Sequence, residues 1–193
     1  MKSSLLNMVL SLGVITIVAA ALLSGVYSLT KAPIEEANMN KQVEAISAVT
    51  PQFDNDPVAE AVEITPAGEA IALKVFPARQ GGELVGAAVE SYTSTGFSGL
   101  IKVIYGFDAN GTITGFAVME HAETPGLGAK MDEWFRDTTG NRSIIGRSSA
   151  NDNLTVSKDG GDIDAITAAT ITSRAFLDAL KRADKAFSQY SAE

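Results

Sequence analysis

Residues 5–29 of this chain contain no charged side chain. Few structures accommodate such a run. Coiled as a helix, its twenty-five residues rise about 37 Å, more than the roughly 30 Å of a bilayer's hydrocarbon core. Apolar side chains occupy every side of that helix, from Leu5 and Leu6 through Ile15 and Val18 to Leu22, Leu23 and Val26. A secretory signal peptide is the rival reading, but its apolar region spans only about 7–15 residues and ends at a small-residue cleavage site. Here Ala19-Ala20-Ala21 lies in mid-run, and Leu23-Ser24-Gly25 only mimics such a site. The length favours a retained transmembrane anchor over residues 1–30. Lys2 and Lys31 flank the two ends, so positive-inside counting is nearly balanced. A short tail before a long C-terminal domain predicts the tail inside and the domain exported.

Net charge and residue usage narrow what the remainder can do. The chain carries −8 at neutral pH, and the only charged side chains before residue 32 are the two lysines, so the domain beyond is more acidic still. That argues against a nucleic-acid partner and against docking on anionic lipid. There is no cysteine, which excludes disulfides, thiolate chemistry, iron–sulfur ligation and thioether-linked cofactors. With His121 as the single histidine, one chain cannot build a His-rich metal site or a bis-His haem.

Beyond the anchor, residues 31–68 read as a membrane-proximal helix and linker. Ile34, Ala37, Val43, Ile46 and Val49 recur at helical spacing until Pro51 ends the pattern, and the stretch 52–68 reads as a loop. Residues 69–193 read as one domain. Ile71, Leu73 and Val75 alternate before Pro77; Leu84–Tyr92 is a second strand after the Gly81-Gly82 turn. Leu100–Phe107 follows, with Ile101, Val103, Tyr105 and Phe107 on one face. Asp108-Ala109-Asn110-Gly111 then turns the chain back into a strand over 112–120. A short helix is expected over 131–137, and a last amphipathic helix from about Ser173 to Phe187, with Phe176, Leu177, Leu180 and Ala183 inward. The predicted class is α+β: one transmembrane helix, then a mostly antiparallel sheet packed with helices.

Two segments are candidates for chemistry. In Asp164-Ala165-Ile166-Thr167-Ala168-Ala169-Thr170-Ile171-Thr172-Ser173, four hydroxyls crowd around small residues directly before the last helix. A helix N-terminus offers free N–H groups and partial positive charge, which suit a phosphate. Thr170 is placed to touch such a phosphate or be esterified by it. Ordinary N-capping accounts for the same pattern. The second segment, His121-Ala122-Glu123-Thr124-Pro125-Gly126-Leu127-Gly128, follows a strand and brings backbone N–H groups close to any planar or anionic ligand. It reads equally as a structured turn, with His121 as a hydrogen-bonded structural residue. No Gly-x-Ser-x-Gly elbow is present, which argues against a hydrolase built on His121. Asp159, Asp162 and Asp164 beside Gly160-Gly161 lack the EF-hand spacing and read as a solvated acidic loop.

Together these segments resemble the FMN-binding domain family. That family includes the G subunit of the Rnf ion-translocating electron-transport complex and the C subunit of the sodium-pumping NADH:quinone reductase. Its attachment signature, Asp-x-x-Ser/Thr-Gly-Ala-Thr followed by x-Thr-Ser, is matched by Asp164, Thr167, Ala169, Thr170, Thr172 and Ser173. Ala168 stands where the family carries glycine. This places a methyl group near the phosphate, tolerable because alanine is the next smallest residue. The His121–Gly128 loop matches the G-subunit version, and Gly96-Phe97-Ser98-Gly99 resembles a further family segment. The resemblance implies FMN carried covalently as a phosphoester on Thr170, with Thr167 and Ala169 in the attachment segment. It implies a ring packed on Gly126, Leu127 and Gly128 and hydrogen-bonded by Glu123 or Thr124. It further implies a separate flavin transferase, other subunits of a membrane redox complex as partners, and a single pass through the bacterial inner membrane with the domain on the outer face. Membership of the G-subunit branch is favoured. The C subunit, or a tethered scaffold domain without cofactor, is the alternative.

Overall fold

A computed structural model describes residues 5–192, Leu6 by its backbone only. Lys2, on which part of the orientation argument rests, lies outside the described residues. The chain divides into two compact units, Met1–Gln42 and Val43–Glu193. The first is helical throughout its described length. Helix α1 runs Leu5–Val49, so the membrane-proximal helix continues outward from the apolar stretch, through Pro33. A proline inside a helix removes one N–H donor, and here that loss does not interrupt the turn pattern. The apolar stretch of α1 is long enough to cross a membrane, and none of it is buried within the structure. Its exposed Leu, Ile and Val side chains are therefore matched to a lipid environment.

The second unit is built on a five-stranded antiparallel meander in the order β1-β2-β3-β4-β5. The strands are β1 Val62–Ile64, β2 Leu73–Gln80, β3 Glu83–Gly96, β4 Gly99–Asp108 and β5 Ile113–His121. Two departures from the sequence reading have clear causes. β1 lies inside the stretch read as a loop, because three residues are too few to display alternation. Pro77 stands within β2 rather than ending it. β1 pairs only with Leu73–Val75, so β2 is an edge strand at Pro77 and no ladder hydrogen bond is lost there. The Pro77 carbonyl accepts a hydrogen bond from Asn55 Nδ2 at 2.9 Å instead.

Each face of the sheet is covered. Ala45, Ile46 and Val49, the last turns of α1, pack with Phe76, Ala88 and Ile104. On the other face Ile101, Val103, Tyr105 and Phe107 share one core with Phe176, Leu177, Leu180 and Ala183, as their spacing predicts. These last four belong to helix α3, Thr170–Ser191, which starts three residues earlier than expected. Phe176 is the hub. Phe135, on the residue after the short helix α2 (Met131–Trp134), stacks on it at 4.4 Å, and Tyr105 and Phe116 meet it edge-on. Tyr105 Oη donates to the Phe176 carbonyl at 2.8 Å, and Ser91 Oγ donates to the Ala179 carbonyl at 2.8 Å, fixing the rotation of α3 on the sheet.

One buried carboxyl in this helix works against the fold. Burial raises the pKa of Asp184, a shift only partly offset by its hydrogen bond from Ser149. A carboxyl whose folded pKa is raised binds its proton more tightly in the folded state than in the unfolded chain. Stability therefore falls as pH rises from the ordinary aspartate range through the folded pKa. Asp184→Asn is expected to raise the melting temperature at neutral pH. The gain should vanish in acid below the ordinary aspartate range, where both forms are uncharged; paired thermal melts at the two pH values check this.

Candidate functional site

The candidate site lies where three segments distant in sequence converge: the β3–β4 hairpin tip, the loop after β5, and the N-terminus of α3. They line a half-open cavity of about 310 Å³. Glu123, Thr124, Leu127, Gly128, Ala169 and Thr170, all singled out from sequence, line it; so do Phe97, Ala168, Ile171 and Thr172. Thr167 and Gly126 are not in the lining. Thr167 is exposed within the turn closed by the Ala169 N–H to the Ile166 carbonyl at 3.0 Å. Gly126 has φ +76° and serves the turn itself: Pro125 and Gly126 are its central residues, and the Leu127 N–H reaches the Thr124 carbonyl at 3.2 Å.

The walls are held by one carboxylate. Glu123 is 4% exposed. Its Oε1 accepts the Ser98 N–H at 2.9 Å and its Oε2 accepts the Thr172 hydroxyl at 2.5 Å. A single side chain thus joins all three converging segments. Gly128 is required beside it, because a Cβ there would lie 2.6 Å from both Glu123 Oε2 and Thr172 Oγ1. His121 stays outside the cavity lining, and its Nδ1 accepts the Glu123 N–H at 3.2 Å, a structural role.

The four hydroxyls of the attachment segment separate by environment. Ser173 is fully buried; its Oγ accepts the Ile166 N–H at 2.9 Å and donates to the Ala169 carbonyl at 3.0 Å, locking the turn that precedes α3. Thr172 is buried on Glu123. Thr167 is exposed and is not part of the cavity lining. Thr170 alone among the four is half-buried at the cavity. It is the first residue of α3, after Ala169, and no side chain caps the helix. The capping explanation of these hydroxyls therefore does not hold here, and the first turn of α3 starts without a side-chain cap at a residue that lines the cavity.

Ala168 is the one non-glycine residue with positive φ among the described residues, at +63°. The structure revises the reason given for glycine at this position. Backbone handedness, rather than side-chain bulk near a phosphate, is what a glycine satisfies here. An L-residue in this region is strained by about 1–2 kcal/mol. Ala168→Gly should therefore stabilise the domain by about 0.5–1 kcal/mol after the added entropy of the unfolded chain. The melting temperature should rise by about 1–4 °C, measured by calorimetry.

Of the acidic residues nearby, Asp159 and Asp162 are exposed and Asp164 is half-buried, and all three also make hydrogen bonds to the framework. Asp162 Oδ2 accepts the Asn153 N–H at 2.7 Å, and Asp164 Oδ2 accepts the Asn141 N–H at 3.1 Å. The Asp164 carbonyl accepts Trp134 Nε1–H at 2.8 Å. Asp159 receives two hydrogen bonds of 2.7 Å from the Arg174 guanidinium, which holds its carboxyl below the usual range. Sequence reading missed Lys158, whose Nζ donates to Thr170 Oγ1 at 3.4 Å. Twelve residues separate the two, and no periodicity links them.

An uncapped helix start, a hydroxyl at its first residue and a half-open, largely apolar cavity thus meet at one place in the fold. The FMN-binding domain family matches residues 96–185, and the RnfG N-terminal region family matches residues 1–49. The chain is 37% identical to the G subunit of the ion-translocating oxidoreductase complex of Aliivibrio fischeri strain MJ11, covering 94% of this chain and 87% of that one. It is 34% identical to the corresponding G subunit of Cereibacter sphaeroides (strain ATCC 17023), over all of this chain and 88% of the relative. For the G subunit of Vibrio cholerae M66-2 the values are 32%, 94% and 89%. This chain belongs to the RnfG family, the G subunits of ion-translocating oxidoreductase complexes.

Proposed function

We propose that this chain is the flavin-bearing subunit of a membrane-bound ion-translocating oxidoreductase complex, with FMN joined through its phosphate to Thr170 Oγ1. The observation that carries the reading is the sorting of the four hydroxyls: only Thr170 meets the cavity without serving as a strut of the fold. The cavity suits the group, combining the open N–H groups of α3 at one end with an apolar wall of Phe97, Leu127 and Ile171. FMN, when bound, supplies the redox chemistry. The chain's residues supply position. Thr170 tethers the phosphate, and Leu127 and Gly128 form the floor for the ring. Glu123 acts by holding the wall, and Thr124 is the loop's polar side chain at the cavity.

In this reading the chain relays electrons between its neighbours in the complex and is not a stand-alone catalyst. Ion movement is coupled elsewhere in the complex. A separate flavin transferase makes the ester, reading the segment from Asp164 onward. The helix α1 crosses the bacterial inner membrane once, and the domain lies on the periplasmic side. A flavin held there without a covalent bond would be lost by dilution; an ester removes that loss whatever the local affinity. The test is intact mass after co-production with a flavin transferase. A gain of about 438 Da, FMN less water, is expected for the ester. An unmodified mass under those conditions defeats the assignment and favours a tethered domain without cofactor.

A further inference from the structure

We propose that Lys158 is the cation that grips the FMN phosphate at Thr170, and that the Asp159–Arg174 ion pair sets its position. The inference rests on the FMN reading of the cavity and adds a residue that the attachment segment does not contain. Lys158 Nζ lies 3.4 Å from Thr170 Oγ1, and the non-bridging oxygens of a phosphate on that hydroxyl would stand two bonds beyond it, across the phosphorus. An ammonium at this distance donates charge-assisted hydrogen bonds to those oxygens. Thr170 is the first residue of α3, so a phosphate on it would also meet the partial positive charge of the helix N-terminus.

The lysine is not on a loose surface segment. It is the middle residue of a 3-10 turn, Ser157–Asp159, whose preceding residue Val156 is fully buried. The Ser157 N–H reaches the Ile163 carbonyl at 2.7 Å, tying the turn to the strand-like segment that leads into Thr170. On the other side Asp159 takes both Arg174 hydrogen bonds. Arg174 is one helical turn after Thr170, and Lys158 is the residue before Asp159. The ion pair therefore fixes the turn in register with α3 and brings lysine and threonine together. It also neutralises Arg174 with Asp159. Lys158 is left as the cation in contact with Thr170.

The test uses the full chain in detergent without attached flavin, and titrates free FMN and riboflavin by fluorescence quenching. Riboflavin has the ring but no phosphate. Lys158→Gln is expected to weaken FMN binding by about tenfold, the loss of one charge-assisted hydrogen bond at an accessible site. Riboflavin binding should stay within about twofold. Lys158→Arg should recover most of the FMN affinity, and added salt should weaken FMN binding more in the wild type than in Lys158→Gln. Equal FMN affinity in wild type and Lys158→Gln overturns the role of Lys158 while leaving the FMN reading intact. Equal loss of FMN and riboflavin overturns it in favour of a merely structural lysine. A wild-type chain that binds neither flavin and gains no ester mass overturns both.

Discussion

Thr170→Ala is expected to abolish covalent flavin completely while leaving the domain folded. The ester needs an alcohol oxygen at the cavity, and the neighbouring hydroxyls cannot substitute for it. Thr172 is committed to Glu123, Ser173 is buried in the turn before α3, and Thr167 lies outside the cavity lining. The fold should survive because Thr170 is half-buried at the first position of α3, where alanine is a good helix residue. Its side-chain oxygen has one protein partner, the exposed Lys158. The measurement is in-gel flavin fluorescence after denaturation, alongside a thermal melt of the same preparation. Thr170→Ser should keep the yellow band. An undiminished band in Thr170→Ala removes this residue from the mechanism of attachment.

The second large effect concerns stability. Glu123→Ala should destabilise the domain by about 2–4 kcal/mol, because it leaves the Ser98 N–H and the Thr172 hydroxyl without their buried acceptor and opens a void beside Gly128. For a domain of this size that corresponds to a fall in melting temperature of about 5–12 °C. Glu123→Gln is the informative partner. Its amide oxygen can accept the Ser98 N–H, and its amide nitrogen can donate to Thr172 Oγ1. It should retain most of the stability and of the flavin loading that Glu123→Ala loses. If glutamine proves as damaging as alanine, the charge of Glu123 matters beyond its role as a strut.

Much of the candidate site is legible in the sequence because its parts are local. Thr170, Ala169 and the Thr124–Gly128 loop occupy two short segments, each with its own composition of small and hydroxyl residues, and both prove to line one cavity. The inward face of α3 and the shared face of β4 follow from periodicity alone. What escaped is non-local or too short to display a period. β1 has only three residues, and the tolerance of Pro77 within β2 depends on the neighbouring strand stopping at Val75. Helix α3 starts at Thr170 rather than at about Ser173, because helix ends are settled by which backbone groups find partners rather than by composition.

The same division separates what the chain determined by itself from what its folding decided. Twenty-five uncharged residues dictate a membrane-crossing helix, because lipid matching depends on composition and length alone. The alternation of apolar residues dictates an antiparallel sheet under an amphipathic helix, because each face must be buried on something. Sequence placed four hydroxyls within seven residues and gave each the same chemistry. Only the tertiary structure gave them different work, since a hydroxyl's availability is set by partners 49 residues away for Thr172, 7 for Ser173 and 12 for Thr170. The positive φ at Ala168 likewise lies within the turn that Ser173 locks, a backbone conformation of which the residue's identity gives no sign.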